Sequence, residues 1–220
     1  MAGPQAARFV LASASQARLT ALRRVGIATE VQVSQVDEAA ALAAVEAVSG
    51  PLHPADVALA LAGPSPTTSP SAPRVRRTRW SSGATRCSRL DGEVHGKPAR
   101  PSSAQRWRRM RGRSGTLHTG HWLVDTRRPE VRRHPGQRGF DLVDARPLRR
   151  AHRRRDRALC VATGEPLHVA RAFTIDGLGG AFVSGVEGDH HGVVGLSLPL
   201  LRLLLADLGV AWFDLARPTA

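Results

Sequence analysis

Hydrophobic residues at the start of the chain follow first a strand pattern and then a helix pattern. Phe9–Ala12 is a short apolar run typical of a strand, and the polar residues 13–16 predict a turn after it. From Ala17 onward, leucines recur at helical spacing, and Gly26 is a suitable end for that helix. The pattern therefore predicts a strand, a polar turn and a helix in succession.

The same two patterns, apolar residues at strand spacing and at helical spacing, predict most of the remaining elements. They are a strand at 29–36, helices at 39–48 and 56–62, a tight turn at 90–93, a strand at 115–126, two strands within 172–186, and a last helix that begins after Ser197 and ends at Gly209. With 220 residues, the chain is long enough for one domain that spans 1–220 and buries a core.

Two internal segments show neither period. Residues 63–89 are rich in proline, serine and arginine, and residues 127–159 are mostly basic around one short apolar island. Such composition predicts segments that are disordered or aberrant within the domain. The helix before the first segment is also cut short where that segment begins.

The formal net charge is +14, and Lys97 is the only lysine among the 32 basic residues. So basic a chain has nucleic acid as its default partner. Much of the charge, however, belongs to segments 63–89 and 127–159, and aromatic residues that stack on single strands are few. The distribution of charge therefore argues against nucleic acid.

Two cysteines without metal-site spacing indicate a reducing compartment, and the N-terminus lacks the apolar core of a signal peptide. No stretch reaches the roughly 20 apolar residues that a membrane-spanning helix needs. We therefore expect a cytoplasmic protein with no membrane partner.

The turn after the first strand is the first candidate binding site. Backbone N–H groups at a helix start have no partner within the helix, and together with Ser13, Ser15 and Arg18 they suit a phosphate. The alternative is an ordinary strand, turn and helix in which Ser15 is the N-cap, and the turn taken alone favours that alternative.

Three blocks of sequence, in a fixed order, resemble the Maf family of nucleoside triphosphate pyrophosphatases. The first is LASASQAR at Leu11–Arg18, and the second is DGEVHGKP at Asp91–Pro98, followed by TLHTG at Thr116–Gly120. The third and most specific block runs from Gly164 to Leu201 and includes FTIDG, a variant that we associate with actinobacterial members.

The resemblance implies an α/β fold with a mixed, bent central sheet flanked by helices, similar to the inosine-triphosphate pyrophosphatases. It also implies hydrolysis of a non-standard or pyrimidine nucleoside triphosphate to monophosphate and pyrophosphate. Such a reaction needs a divalent metal held by carboxylate, expected to be Mg²⁺ or Mn²⁺ because carboxylate and phosphate oxygens are hard ligands. A homodimer is also expected from the family.

The resemblance assigns roles to individual residues. Ser13, Ser15 and Arg18 are expected to hold phosphate, although Ala17 stands where the family usually has the first of two arginines. The other expected roles are a metal or water carboxylate for Glu38, a phosphate contact for Lys97, and a base or sugar contact for Asp176.

Each of these assignments has a structural alternative. Glu38 could be a solvated acid favoured at a helix start, and Lys97 could belong to simple turn chemistry before a proline. The pair His190-His191 has the residue type of metal ligands. Because neighbours on a strand face opposite sides, we interpret the two histidines as surface-loop residues.

The resemblance breaks at the family signature G-[AC]-D-[ST]-V, whose aspartate is regarded as the catalytic acid–base residue. Counted back from Asp91, that register falls on Gly83–Cys87, and Thr85 occupies the aspartate position. A threonine neither holds a metal as a carboxylate does nor acts as a base at neutral pH. The alternative function is therefore a catalytically inactive, basic protein that binds nucleotides or nucleic acid.

A shift of reading frame explains the break. Residues Thr85–Ser88 can be encoded ACT CGG TGC TCG, and the same bases preceded by the final G of an alanine codon give GAC TCG GTG CTC, or Asp-Ser-Val-Leu. Translation of GC-rich DNA in a shifted reading frame gives amino-acid sequences rich in arginine, proline and serine, as in residues 63–89 and 127–159. Our hypothesis is a Maf-type sequence with two scrambled segments, which the nucleotide sequence of the gene tests.

Overall fold

The structure is a computed structural model, and it describes residues 8–33, 38–62, 79–90, 93–95, 116–125, 132–136, 175–183 and 185–216. The strands are β1 Arg8–Leu11, β2 Thr29–Val31, β3 Arg79–Leu90, β4 Glu93–His95, β5 Thr116–Asp125 and β6 Arg132–Gly136. The helices are α1 Gln16–Arg24, α2 Glu38–Ser49, α3 Pro54–Ala62, the 3₁₀ helix η1 Leu178–Phe182, α4 His190–Val194, α5 Leu198–Asp207 and α6 Trp212–Leu215.

The chain divides into two compact units, each made of segments that are separated in sequence. The first unit comprises Met1–Thr85, Gly120–Arg138 and Leu198–Ala220. The second unit comprises Arg86–Thr119 and Gly139–Ser197. Neither unit is a contiguous half of the chain, and one domain over 1–220 stays a prediction.

The strand order of the sheet is β2-β1-β3-β5-β6, and β4 pairs with β3 beside this path. β1 runs parallel to β2 and to β3, with Leu11 opposite Val31 on one side and opposite Ser82 on the other. β5 and β6 are antiparallel. In the second unit, the end of β3 pairs antiparallel with β4, and Leu90 lies opposite Glu93, as the predicted turn at this point requires. The chain is therefore an α/β protein with a mixed sheet.

The predicted strand and helix at the start of the chain are confirmed. Phe9 and Leu11 of β1 are fully buried, and α1 follows after the polar turn. Gly26 has a left-handed φ of 76°, and its N–H donates to the carbonyl of Arg23. A residue with a side chain is strained at that φ, so the glycine ends the helix as its position predicts.

The predicted C-terminal helix is also confirmed. The buried leucines of α5 are Leu198, Leu200, Leu201, Leu204 and Leu205, and Leu208, directly after the helix, is buried as well. Gly209 again has a left-handed φ, of 74°, and its N–H donates to the carbonyl of Ala206. Within the described ranges, none of the helices combines the length and the apolar character needed to span a bilayer.

Two of the predicted elements differ in the structure. The strand expected at 29–36 is described only as the short β2. The two strands expected within 172–186 are wrong for residues 175–183, which form a bend followed by η1. The reason is local: a Cβ on Gly180 would lie 2.3 Å from the carbonyl oxygen of Ile175, so the chain folds back there more tightly than a strand allows.

The prediction of disorder needs correction in two places. β3 occupies 79–90 and β6 occupies 132–136, so parts of both anomalous segments are strands. β3 forms by pairing its backbone with β1, and β6 by pairing with β5, which requires no alternation of apolar side chains. The rest of segments 63–89 and 127–159 lies outside the described residues, and their aberrant origin stays a hypothesis.

A single glycine allows α3 to pack closely on β5 within the first unit. A Cβ built on Gly120 would lie 2.2 Å from the carbonyl oxygen of Ala58, far inside any allowed contact. Ala58 is 1% exposed, so its backbone has no open space into which to move.

We therefore expect Gly120→Ala to lower the free energy of unfolding by roughly 1–3 kcal/mol or more, because overpacking forces the backbone apart. Urea denaturation of the full chain measures the change. Gly185→Ala is the matched control, since a Cβ there meets nothing within 4 Å, and it should stay within about 0.5 kcal/mol of the parent. Equal stability of Gly120→Ala and the parent would contradict the described packing.

Candidate active site

The turn between β1 and α1 is organised around the hydroxyl of Ser13. Its Oγ accepts a hydrogen bond from Arg18 Nη1 at 2.9 Å and another from the backbone N–H of Ser15 at 3.2 Å. Donors from the turn and from the helix therefore converge on one oxygen atom. These bonds hold the turn in a compact form, with the Arg18 guanidinium beside it.

The start of α1 presents backbone donors. Ser15 is the N-cap residue, with an extended backbone, and its hydroxyl makes no capping bond among the described residues. The first helical bond runs from the N–H of Leu19 to the Ser15 carbonyl, so the N–H groups of Gln16 and Ala17 have no carbonyl within the helix. The first turn carries no acidic side chain. This helix start therefore favours an anion.

Arg18 differs from the other arginines of α1 because it is buried, with 7% of its surface exposed. A charged side chain is seldom buried without polar partners, because its desolvation is costly, and Ser13 is one such partner here. Arg23 and Arg24 are exposed in the last turn of the helix, where they face the negative end of its dipole. The buried cation thus lies at the end of α1 where an anion is favoured.

Three segments that carry candidate residues lie beyond the paired carboxyl end of β1 or of its neighbouring strands. β1, β2 and the first part of β3 are parallel, and Leu11 at the end of β1 pairs with Ser82 of β3. The Ser13 turn follows β1, the connection to Glu38 follows β2, and β3 continues past Ser82 to Thr85. In α/β proteins, ligands bind outside the carboxyl ends of parallel strands, which makes this edge the candidate site.

The backbone of Thr85 lies three residues beyond Ser82 in β3. At the rise of an extended strand, this is about 10 Å past the paired end of β1. Because β3 neighbours β1 and runs in the same direction, residue 85 lies on the side toward which the Ser13 turn leaves the sheet. The backbone topology therefore brings the signature position and the serine turn to the same edge.

The remaining predicted site residues, Glu38, Asp176 and Lys97, lie in separate parts of the chain. Glu38 is the first residue of α2, a position that suits both a ligand after β2 and the alternative of an acid favoured at a helix start. Asp176 is exposed in the bend before η1, in the second unit. Lys97 lies outside the described residues, and its role stays a prediction.

In the structure, the ligand atoms of three consecutive residues, Asp189, His190 and His191, lie within 4.8 Å of one another. His190 and His191 are the first residues of α4, so their interpretation as loop residues with opposite directions was wrong. A helix turns adjacent residues by about 100° rather than 180°, and the two ring centroids are 3.9 Å apart. Asp189 is the N-cap of α4, and its Oδ1 accepts the His191 N–H at 2.9 Å. An aspartate before a short helix was the signal available in the sequence.

Parallel strands joined by helices, with a donor-rich turn at their carboxyl edge, define this chain as an α/β protein with a candidate phosphate site. The family model for Maf-like protein matches residues 8–208. The chain belongs to the Maf family. The resemblance inferred from the three sequence blocks is therefore confirmed.

Relatives named nucleoside triphosphate pyrophosphatase are similar along nearly the whole chain. The protein of Streptomyces coelicolor is 46% identical over 213 residues, which covers 96% of this chain and 95% of that protein. The protein of Leifsonia xyli subsp. xyli is 43% identical over 216 residues, covering 94% and 96%. The protein of Mycolicibacterium gilvum is 39% identical over 209 residues, covering 93% and 96%.

Proposed function

We propose that this chain hydrolyses nucleoside triphosphates to nucleoside monophosphate and pyrophosphate. The observation that carries the proposal is the turn at the carboxyl edge of the sheet, with Ser13, buried Arg18 and the start of α1. A triphosphate has several anionic oxygens, which such donors bind by charge-assisted hydrogen bonds. Membership of the Maf family and the names of the relatives support the same reaction.

In the proposed reaction, a water oxygen attacks the α-phosphorus, and the bond from that phosphorus to the α–β bridging oxygen breaks. Pyrophosphate leaves with the electron pair of the broken bond, and the water proton passes to a carboxylate or to solvent. Ser13, Ser15 and Arg18 hold the phosphates and stabilise the charge that develops on the leaving group. Lys97 adds a second cation, and Asp176 contacts the base or the sugar.

Family membership implies a divalent metal, for which we propose Mg²⁺ or Mn²⁺. These ions prefer carboxylate and phosphate oxygens, and when bound they neutralise phosphate charge. Glu38 supplies a carboxylate in the segment that follows β2, so its donor chemistry fits, and we propose it as the metal or water ligand. The hydroxyl of Thr85 is a poor substitute for a second carboxylate.

The finer features of the proposal come from the family resemblance. The substrate is a non-standard or pyrimidine nucleoside triphosphate, and the sheet is bent as in the inosine-triphosphate pyrophosphatases. The chain acts as a homodimer in the cytoplasm, with neither membrane nor nucleic acid as a partner.

Thr85 favours a second candidate function. With no carboxylate at the signature position, the chain would bind nucleotides without cleaving them, or would bind nucleic acid through its arginine-rich segments. Contacts between arginine and phosphate weaken steeply with salt, whereas turnover releases pyrophosphate. The two functions therefore have different readouts.

Pyrophosphate release from a panel of nucleoside triphosphates, with Mg²⁺ or Mn²⁺, separates these functions. We expect pyrophosphate and monophosphate in equal amounts. We also expect turnover to fall by roughly 10²–10³ in Glu38→Gln and in Lys97→Ala, because each variant removes a charge that acts on the reacting phosphates.

Glu46→Gln is the matched control, since Glu46 is an exposed acid on the same helix as Glu38, and it should keep the parent activity. Turnover that survives both Glu38→Gln and Lys97→Ala would contradict the proposed site. Salt-sensitive binding of nucleic acid without pyrophosphate release would support the second function instead.

A further inference from the structure

We propose that Asp189, His190 and His191 form a binding site for a divalent transition-metal ion such as Zn²⁺. Each residue offers one ligand atom, and the three atoms lie within 4.8 Å of one another. His191 Nδ1 is 3.4 Å from Asp189 Oδ1, and the two imidazole centroids are 3.9 Å apart. The site uses none of the residues proposed for phosphate binding or hydrolysis.

The spacing of the three donors suits a tetrahedral ion. Zn²⁺ binds histidine nitrogen at about 2.0–2.1 Å and carboxylate oxygen at about 2.0–2.2 Å, so two tetrahedral ligands lie about 3.4 Å apart. The separation between Asp189 Oδ1 and His191 Nδ1 already matches this distance. His190 is exposed, and its ligand atom lies within 4.8 Å of the other two. Three protein ligands leave a fourth position for water.

The donor types select the class of metal. Imidazole nitrogen suits Zn²⁺, Ni²⁺ and Cu²⁺, whereas Mg²⁺ prefers a shell made only of oxygen atoms. Two imidazoles and one carboxylate therefore favour a transition metal over Mg²⁺. This chemistry distinguishes the cluster from the ion proposed for Glu38.

The backbone that carries the cluster is anchored within the second unit. Asp189 caps α4 by accepting the His191 N–H at 2.9 Å. On the next residue, the carbonyl of Gly192 accepts a hydrogen bond from the Thr119 hydroxyl at 3.0 Å, and Thr119 is only 1% exposed. The donors are thus held by a buried contact while the His190 side chain reaches solvent, and pre-positioned donors favour metal binding.

Zinc titration of the full chain, stripped with a chelator and kept in excess Mg²⁺, tests the proposal. The Mg²⁺ occupies oxygen-only sites, so the titration reports sites that contain nitrogen or sulfur. We expect one Zn²⁺ per chain, bound at least about tenfold more weakly by His190→Ala and by His191→Ala. Asp189→Asn should also weaken binding, although asparagine is as good an N-cap as aspartate, so that loss is not a loss of the helix.

His53→Ala is the matched control, because His53 is an exposed histidine outside the cluster, and this variant should bind Zn²⁺ like the parent. Co²⁺ in place of Zn²⁺ provides a spectroscopic readout, for which we expect visible bands of a tetrahedral ion without thiolate charge-transfer absorption. Charge-transfer bands from Cys87 or Cys160 would overturn the proposal. Parent-like zinc affinity in both histidine variants, or the lack of saturable binding, would overturn it as well.

Discussion

Replacing Arg18 with alanine is expected to weaken binding of a non-cleavable nucleoside triphosphate by roughly 10- to 150-fold. A hydrogen bond to a charged group contributes roughly 1.5–3 kcal/mol, which corresponds to that range of dissociation constants. Arg18 is 7% exposed and is already held against the turn by Ser13, so little side-chain freedom is lost when it meets a phosphate. Calorimetric titration with the α,β-methylene analogue of UTP measures the effect whether or not the chain turns over.

Arg24→Ala is the control for this prediction. Arg24 is exposed in the last turn of the same helix, so its removal changes the net charge equally without touching the turn. We expect binding close to that of the parent, because long-range attraction between exposed charges is screened by salt. Urea denaturation establishes that both variants remain folded. Equal losses of affinity in the two variants would mean that net charge, and not the Ser13–Arg18 turn, binds the phosphates.

Replacing Thr85 with aspartate is expected to raise pyrophosphatase activity by roughly 10²–10⁴, the usual contribution of a general acid or base. The register counted back from Asp91 predicts that position 85 corresponds to the family's aspartate, and β3 brings that position to the edge where the Ser13 turn leaves the sheet. An aspartate there restores a carboxylate that can hold a metal or orient water, neither of which threonine does. The measurement is kcat for pyrophosphate release with Mg²⁺.

The Thr85→Asn variant separates the effect of the carboxylate charge from the effect of side-chain size. Asparagine has nearly the shape of aspartate and lacks the charge, so we expect it to stay at the level of the parent. Activity that rises equally in both variants, or in neither, would contradict the assignment of position 85. In that case the frame-shift hypothesis would lose its main support, which is the correspondence between residues 83–87 and the family signature.

The parts of the fold that could be predicted from the sequence are those with local causes. The helix of Leu198–Asp207 combines a stripe of leucines with a glycine whose left-handed backbone ends it, and both signals lie within a dozen residues. The turn before α1 is similarly local, since Arg18 reaches back only five residues to the hydroxyl of Ser13. Such elements need no knowledge of distant partners.

The strands β3 and β6 were missed because their cause is not local. An arginine-rich sequence without alternating apolar and polar residues does not predict a strand. β3 forms because its backbone pairs with β1, with Leu11 opposite Ser82. The prediction that His190 and His191 point in opposite directions is wrong for a related reason. The angle between neighbouring side chains depends on whether the segment is a strand or a helix, and here it is a helix. When a segment is too short for its pattern to distinguish a strand from a helix, the sequence also does not show whether neighbouring side chains can bind the same ion.

The residues of the candidate site likewise fall into those placed by local contacts and those placed by the order of the strands. Ser13, Ser15 and Arg18 were identified from one short stretch and are brought together by two hydrogen bonds. The segment with Glu38 follows β2, and Thr85 lies in β3 beyond the end of β1. That both lie toward the same end of the sheet follows only from the parallel order β2-β1-β3, which no spacing in the sequence reveals. The roles of Lys97 and Asp176 rest on the family resemblance.

The most direct test of the account locates the triphosphate on the chain. Isotope-labelled protein titrated with the α,β-methylene analogue of UTP should show saturable changes in the backbone amide resonances of Ser15, Gln16 and Ala17, with the same midpoint as the calorimetric curve. If the analogue saturates the protein while these amide resonances stay unchanged, the start of α1 does not bind the phosphates, and the proposed site is wrong.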